Sequence, residues 1–288
     1  MATVSSVLQR LGRAHRTFDC CDTTFEVEIS GFNADAVSRR ARSAARTLEA
    51  QLNAFAPDSA VSTLNETGWV DNEHVAAIVE RGLEYFDRTA GRFDIHQGKT
   101  EHAVKAFIRR EADEIEARFT SGQIRVEGSE VKTDVALDLN GLAKGYIVEW
   151  VYRELDGVGR RVFVNGGGDM TAPLHQVGIE SPYGDDRHLR ILDTDWAIAS
   201  SGSYKRRRAT VDHIYDPTAE LIGARNDLVT VVARRDCMEA DALATTLATM
   251  HPDAAIDVAE RWSGAEAFLV HSGVFHQTGG FSEHVAVA

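Results

Sequence analysis

Apolar positions recur with two periods along this chain of 288 residues, and the periods divide it into strands and helices. Phe25, Val27 and Ile29 alternate with Glu26 and Glu28, which predicts a half-buried strand over 24–29. After Gly31 the spacing changes to three and four. Val37, Ala41, Ala44, Leu48, Leu52 and Phe55 predict an amphipathic helix of about five turns, with Asn33 as its cap. Pro57-Asp58-Ser59 reads as a turn. Val75, Val79, Leu83 and Phe86 predict a second helix that ends near Gly91, and Val104, Ile108, Ile115 and Phe119 a third. Residues 123–139 read as two strands around Gly128-Ser129. A helix follows from Leu142 to Leu155, then a short strand from Arg161 to Val164 that runs into glycines. From 177 to 232 strand-like pieces dominate (177–179, 189–191, 196–198 and 228–232). Helical spacing returns over 238–250 and 254–262, before a late strand at 268–270.

Helices and strands are mixed without strict βαβ alternation. This order predicts an α+β fold with mixed, largely antiparallel sheets and flanking helices rather than a doubly wound sheet. No repeat, low-complexity tract or long linker divides the chain. Residues 18–288 are therefore read as a single domain and 1–17 as a poorly ordered or peripheral N-terminus.

Composition narrows the function. Asp plus Glu (44) exceeds Lys plus Arg (31), for a net charge of −13. Such a field repels a phosphate backbone, so nucleic-acid binding is not expected. A small phosphate-bearing ligand needs only a local site and stays allowed. Three cysteines, Cys20, Cys21 and Cys237, do not make a disulfide framework, and a reducing compartment is the simpler expectation. No C-x-x-C pair exists, which argues against a thiolate zinc site. No apolar window is long enough to span a bilayer, and residues 1–20 carry no signal-peptide run. The expectation is a soluble cytoplasmic protein with no integral membrane segment.

Five segments carry candidate chemistry. Asp138-Leu139-Asn140-Gly141-Leu142-Ala143-Lys144-Gly145 places a carboxylate, a tight turn and a lysine at a helix start, where free N–H groups favour an anion. Read alone, it is also an ordinary strand-to-helix turn with a surface lysine. Asn165-Gly166-Gly167-Gly168-Asp169 permits close backbone approach to a ligand, or is a flexible turn. Ser201-Gly202-Ser203-Tyr204-Lys205-Arg206 is a second anion-friendly loop, or a solvated hairpin tip. His213 precedes Tyr215 and an Asp-Pro turn, a setting suited to a general base as well as to a structural histidine. Asp241 and Thr245 are four apart on one helical face. Their hard oxygens suit Mg²⁺ also held by substrate phosphates, or a helix-dipole acid beside a packing threonine. Together the five fit one site for a phosphorylated ligand with Mg²⁺.

In combination these runs resemble the FAD:protein FMN transferase, or ApbE, family. The matching segments are FAPDSAVSTLN (55–65), GRFD (91–94), DLNGLAKG (138–145), VNGGGD (164–169), SGSYKR (201–206), HIYDP (213–217) and ADALAT (240–245), in the family's order. The resemblance implies an ApbE-like (T-fold-like) architecture. It also implies Mg²⁺-dependent transfer of FMN from FAD to a threonine hydroxyl of an acceptor protein, with release of AMP. By position it implies Asp241 and Thr245 as metal ligands, with backbone carbonyls of Gly141 and Ala244 completing the shell. Asp138, Lys144 and Tyr215 fall among FAD contacts, Phe55 as the aromatic wall beside the flavin and Cys21 as a flavin-side contact. Asn165, Gly167, Gly168, Asp169, Ser201, Gly202, Tyr204 and Arg206 line the dinucleotide site in this reading, and His213 is the base that activates the acceptor. Two readings stay beside it: an FAD pyrophosphatase, in which water replaces the acceptor, and a non-catalytic flavin-binding protein. The chain departs from the family pattern at Cys21-Asp22-Thr23, where Met-Gly-Thr is common. It departs again after Asp94, where Ile95-His96-Gln97-Gly98-Lys99 stands in place of a Thr-x-Gly-Pro run.

Overall fold

The computed structural model describes residues 11–116, 118–155, 161–171, 175–185, 187–202, 207–208 and 211–287. The chain opens with a hairpin of β1 (Leu11–Cys20) and β2 (Thr23–Phe32), paired in register from Leu11↔Phe32 to Cys20↔Thr23. β1 begins inside the span 1–17 that the sequence pattern leaves outside the domain. It is an edge strand, and its Arg13, His15 and Arg16 disguise the alternation; charged edges of this kind discourage strand pairing between molecules.

Helix α1 (Ala34–Leu52) buries Val37, Ala41, Leu48 and Leu52 on one face, as the spacing predicts, with Ala45 buried in place of the half-buried Ala44 and Phe55 beyond the helix end. Asn33 does precede it, but its backbone is left-handed at φ 54° and its side chain makes no capping bond. Asn serves here through its tolerance of that conformation rather than through its amide. Helix α2 (Ala60–Thr67) follows, capped by Ser59, whose side chain accepts from the Ser62 N–H, and stopped by Gly68 at φ 76°. Then come β3 (Trp69–Asp71) and α3 (Glu73–Arg88), capped by Asn72.

Helix α4 spans Gly98–Ile108, so the helix expected over 104–119 starts earlier and ends earlier. Arg110 turns left-handed (φ 64°), and the Glu111 N–H reaches back to the Ala106 carbonyl at 2.9 Å, which closes the helix. Beyond it Phe119 packs on Tyr215, their ring centroids 6.1 Å apart. Strands β4 (Ile124–Glu127) and β5 (Glu130–Thr133) join β3 in a three-stranded sheet. Helix α5 (Asn140–Leu155) leads to β6 (Arg161–Gly166) and β7 (Asp169–Met170). β8 (Val177–Glu180) and β9 (His188–Leu192) form a hairpin, and β10 (Ala197–Ser201) returns to the main sheet.

Two short pairs follow: β11 (Arg207–Arg208) with β12 (Val211–Asp212), and β13 (Tyr215–Asp216) with β14 (Leu221–Ile222). The chain then runs through β15 (Leu228–Ala233), α6 (Cys237–Ala248), α7 (Pro252–Glu260), β16 (Ala265–His271) and β17 (Val274–Gln277).

The main sheet has eight strands in the order β1-β2-β6-β7-β10-β15-β16-β17, and every neighbouring pair is antiparallel. The α+β expectation therefore holds. Alternation sorts the sheet into two apolar faces. Ala199, Val229, Val231, Ala267 and Leu269 join the large core under α1, α5 and α6. Ile198, Leu228, Val232, Phe268 and Val270 join a second cluster with Ile179 and Leu192 of the β8–β9 hairpin. Both faces of β15 are covered, which explains why every position but Thr230 is apolar. No described helix is long and apolar enough to cross a membrane.

Candidate active site

Helices α5 and α6 approach closely, and the contact is made by a missing side chain. A Cβ on Gly145 would stand 2.8 Å from the Cys237 carbonyl and 2.9 Å from the Met238 Cα. The Gly145 N–H donates to Asp241 Oδ2 at 3.2 Å. Asp236 caps α6, its side chain accepting the Glu239 N–H at 2.9 Å, and so fixes where Asp241 falls along the helix. Asp241 is 4% exposed.

Lys144, one residue before Gly145, reaches between two carboxylates. Its Nζ lies 3.6 Å from Asp241 Oδ1 and pairs closely with Asp169 Oδ2. Asp169 is fully buried, so the Lys144 ammonium against its Oδ2 supplies the compensation its charge needs. One turn along α6, Thr245 Oγ1 meets Ser201 Oγ at 3.4 Å. Gly141 adjoins the same point: a Cβ there would lie 3.9 Å from Thr245 Cγ2.

The 165–169 segment turns from β6 into β7. The Asn165 side chain accepts the Gly168 N–H at 2.9 Å, while Gly167 and Gly168 have φ 66° and 107°. A side chain on Gly167 would collide with Thr23 in the β1–β2 hairpin, so glycine is required for both conformation and space. Opposite, Tyr215 OH donates to Asp138 Oδ2, and Asn140 closes on Asp138 Oδ1 through its backbone N–H (2.9 Å) and side-chain amide (2.8 Å). Burial, with Asp138 beside it, holds the Tyr215 phenol well above its ordinary range. His213 sits between β12 and β13. Asp212, buried, accepts the Ile214 and Ala224 N–H groups at 2.8 and 2.9 Å and pins that loop.

These pieces enclose one cavity of about 620 Å³, within the range of small-molecule and cofactor sites. Of the residues singled out in the sequence, Cys21, Phe55, Asp138, Gly141, Lys144, Asn165, Gly167, Gly168, Ser201, Gly202, His213, Tyr215, Asp241 and Thr245 all line it. Asp169 lies against the Lys144 ammonium without lining the cavity, and Ala244 is buried in α6. Tyr204 and Arg206 lie outside the described residues.

The cavity also takes residues that sequence reasoning passed over. Glu101 on α4 is 2% exposed, pairs with Lys105 at 2.7 Å and accepts from Asn140 at 3.2 Å. Burial, with help from Asp138, pushes its carboxyl up to about 8. Phe55 stacks on His102 at 4.5 Å, with Lys105 and Arg109 over its ring at 4.6 and 4.7 Å. Desolvation lowers the His102 imidazole, which favours its neutral form. Ile179, Leu192, Ile198 and Leu228 extend the lining into the second apolar cluster.

Comparison with known proteins follows this geometry. An ApbE protein from Thermotoga maritima superposes with TM-score 0.82 at 19% identity, covering 96% of this chain and 100% of that one. The flavin transferase ApbE from Vibrio cholerae gives TM-score 0.76 at 21% identity, over 95% and 99%. In sequence, the FAD:protein FMN transferase of Vibrio cholerae serotype O1 is 33% identical over 155 residues, which is 48% of this chain and 46% of that protein. The matched stretch thus spans about half of the curated relative. Residues 21–269 match the ApbE family. The chain belongs to the ApbE family.

Proposed function

We propose that this protein is a Mg²⁺-dependent FAD:protein FMN transferase that passes FMN from FAD to a threonine hydroxyl of a target protein and releases AMP. The observation that carries the reading is the convergence of Lys144, Asp241, Thr245, Ser201 and His213, drawn from four separate segments, on one cavity of dinucleotide scale. The donor set fits a hard cation: a buried carboxylate, two hydroxyls, and the Gly141 and Ala244 carbonyls on the two helices that Gly145 brings together. Mg²⁺ bound there would neutralise charge on the pyrophosphate oxygens.

The chain's own groups supply the rest. Lys144 offers a second positive charge beside Asp241. The Gly167–Gly168 turn lets backbone approach the ligand, and the Asp138–Tyr215–Asn140 network with Phe55 orients its rings. His213 takes the acceptor threonine's proton. The threonine oxygen forms a bond to the FMN phosphorus, the bridging P–O bond breaks, and AMP leaves with that oxygen. We assign this work to one domain that takes in β1 from Leu11 onward, where the expected boundary at residue 18 would cut the strand, because the lining runs from Cys21 to Thr246. Cysteine usage supports a reducing, cytoplasmic setting.

The test pairs FAD and Mg²⁺ with a mixed threonine-bearing peptide library and reads covalent FMN by mass spectrometry. Wild type should flavinylate threonine. His213→Gln should lose transfer on the order of a hundredfold while still quenching or shifting flavin fluorescence on binding. Transfer at the wild-type rate in His213→Gln would remove the proposed base, and free FMN with no labelled peptide would make water the acceptor.

A further inference from the structure

The tip of the β1–β2 hairpin brings two sulfurs and a carboxylate to one point beside the cavity. Cys20 ends β1 opposite Thr23, and Cys21 and Asp22 form the two-residue turn, each at φ 54°. The Cys20 and Cys21 sulfurs lie 3.8 Å apart. Glu49 arrives from α1, and its Oε1 accepts the Cys21 backbone N–H at 2.5 Å. One ligand atom from each of the three residues lies within 4.8 Å of the other two. Two Zn–S bonds of about 2.3 Å at a tetrahedral angle separate their sulfurs by about 3.8 Å, which is the spacing of this pair.

We propose that Cys20, Cys21 and Glu49 form a binding site for one thiophilic divalent cation of the zinc class, with its remaining coordination position turned toward the cavity. Cys21 and Glu49 line that cavity, while Cys20 stands behind them at 1% exposure. The absence of a C-x-x-C spacing argues only against ligands drawn from one short segment. Here adjacent cysteines on a hairpin tip gain their third ligand from a helix distant in sequence. The tip is held from outside by the Asp22–Arg109 ion pair at 3.1 Å. Thiolates select zinc-class ions over Mg²⁺, so this site and the oxygen donors around Asp241 sort different metals.

A disulfide is the competing use of the pair. Both cysteines are free thiols, and their sulfurs stand 3.8 Å apart, well beyond the roughly 2.05 Å of an S–S bond, whereas that separation matches two thiolates on one cation.

The test titrates reduced full-length protein with Co²⁺ and then Zn²⁺, in excess Mg²⁺ to occupy hard oxygen sites. One Co²⁺ per chain should bind with an intense thiolate-to-cobalt charge-transfer band, and one Zn²⁺ should displace it. Cys21→Ser should abolish the band, and Glu49→Gln should weaken Co²⁺ binding about tenfold or more. Cys237→Ser, which alters the distant cysteine in α6, should leave the band in place. Circular dichroism of each variant separates loss of the site from loss of fold, and Glu49→Gln keeps both core sulfurs. No band at one equivalent, a band that survives in both Cys21→Ser and Glu49→Gln, or an isolated protein lacking two hydrogens by intact mass would overturn the proposal. None of these readouts involves flavin, so they stand or fall apart from the transferase reading.

Discussion

Asp241 and Asp169 share one ammonium, and that arrangement sets what single substitutions can do. Lys144 compensates a carboxylate that is wholly buried. Lys144→Met should destabilise the fold by about 3–5 kcal/mol, read by urea denaturation, and Asp169→Asn added to it should restore part of the loss. Equal stability of Lys144→Met and wild type would show that the ion pair is not holding the turn. Glu101 gives a pH signature. Its folded-state carboxyl titrates near 8 against 4.5 for the free group, because burial penalises the charge. Between those values the folded state binds the extra proton, so this group makes stability fall as pH rises toward 8 and level off above it. Glu101→Gln should flatten that slope in denaturation measured from pH 5 to 9; an unchanged slope would place the titration elsewhere. Asp138, Lys144, His213, Asp241 and Thr245 were legible as cavity-lining positions because a turn, a helix start or an i, i+4 spacing marks each of them locally. Glu101 was not: an acid paired with Lys105 one turn along its own helix looks solvent-facing until Asn140 closes on it from another segment.

At the scale of elements, the site depends on how near α5 and α6 can come. Gly145→Ala should push them apart, since the new Cβ meets backbone atoms of Cys237 and Met238 that cannot rotate away. The expected cost is about 1–3 kcal/mol, read as a lowered Tm, together with weaker Mg²⁺ binding as the Gly145 N–H to Asp241 bond is lost. An unchanged Tm would mean the helices have slack that the packing does not show. At the far end of α6, buried Asn226 donates to the Leu247 and Met250 carbonyls at 2.8 and 3.1 Å, satisfying groups the helix leaves open. Long elements with a strong period, such as α1, α3 and β15, were legible from their apolar spacing. β1 was hidden by the arginines of an edge strand, and the helix at 98–108 was misplaced because Ile115 and Phe119 continue its spacing after the backbone has turned. Phe119 is apolar because it packs on Tyr215, a contact no local pattern announces.

For the whole molecule, the acidic balance and the cavity set different conditions. A net charge of −13 disfavours polyanions at long range, while inside the cavity Arg92, Lys105 and Lys144 offer local cations to a phosphate among carboxylates such as Asp138 and Asp241. The sheet order could not be read from the chain, since pairs such as β2 with β6 and β7 with β10 join strands far apart in sequence. That order is what carries the 165–169 turn, Ser201 and the α6 carboxylate to one place. The central claim is that this place splits the FAD pyrophosphate with a metal held at Asp241. The most direct measurement is chromatographic quantification of AMP released from FAD by the wild type and by Asp241→Asn, in Mg²⁺ and in EDTA, with threonine peptides present. The account predicts AMP in equal amount to peptide-bound FMN in Mg²⁺. It predicts none in EDTA, and a fall on the order of a hundredfold or more in Asp241→Asn. FAD that binds but stays intact in Mg²⁺, or AMP release that is indifferent to EDTA and to Asp241, would contradict it.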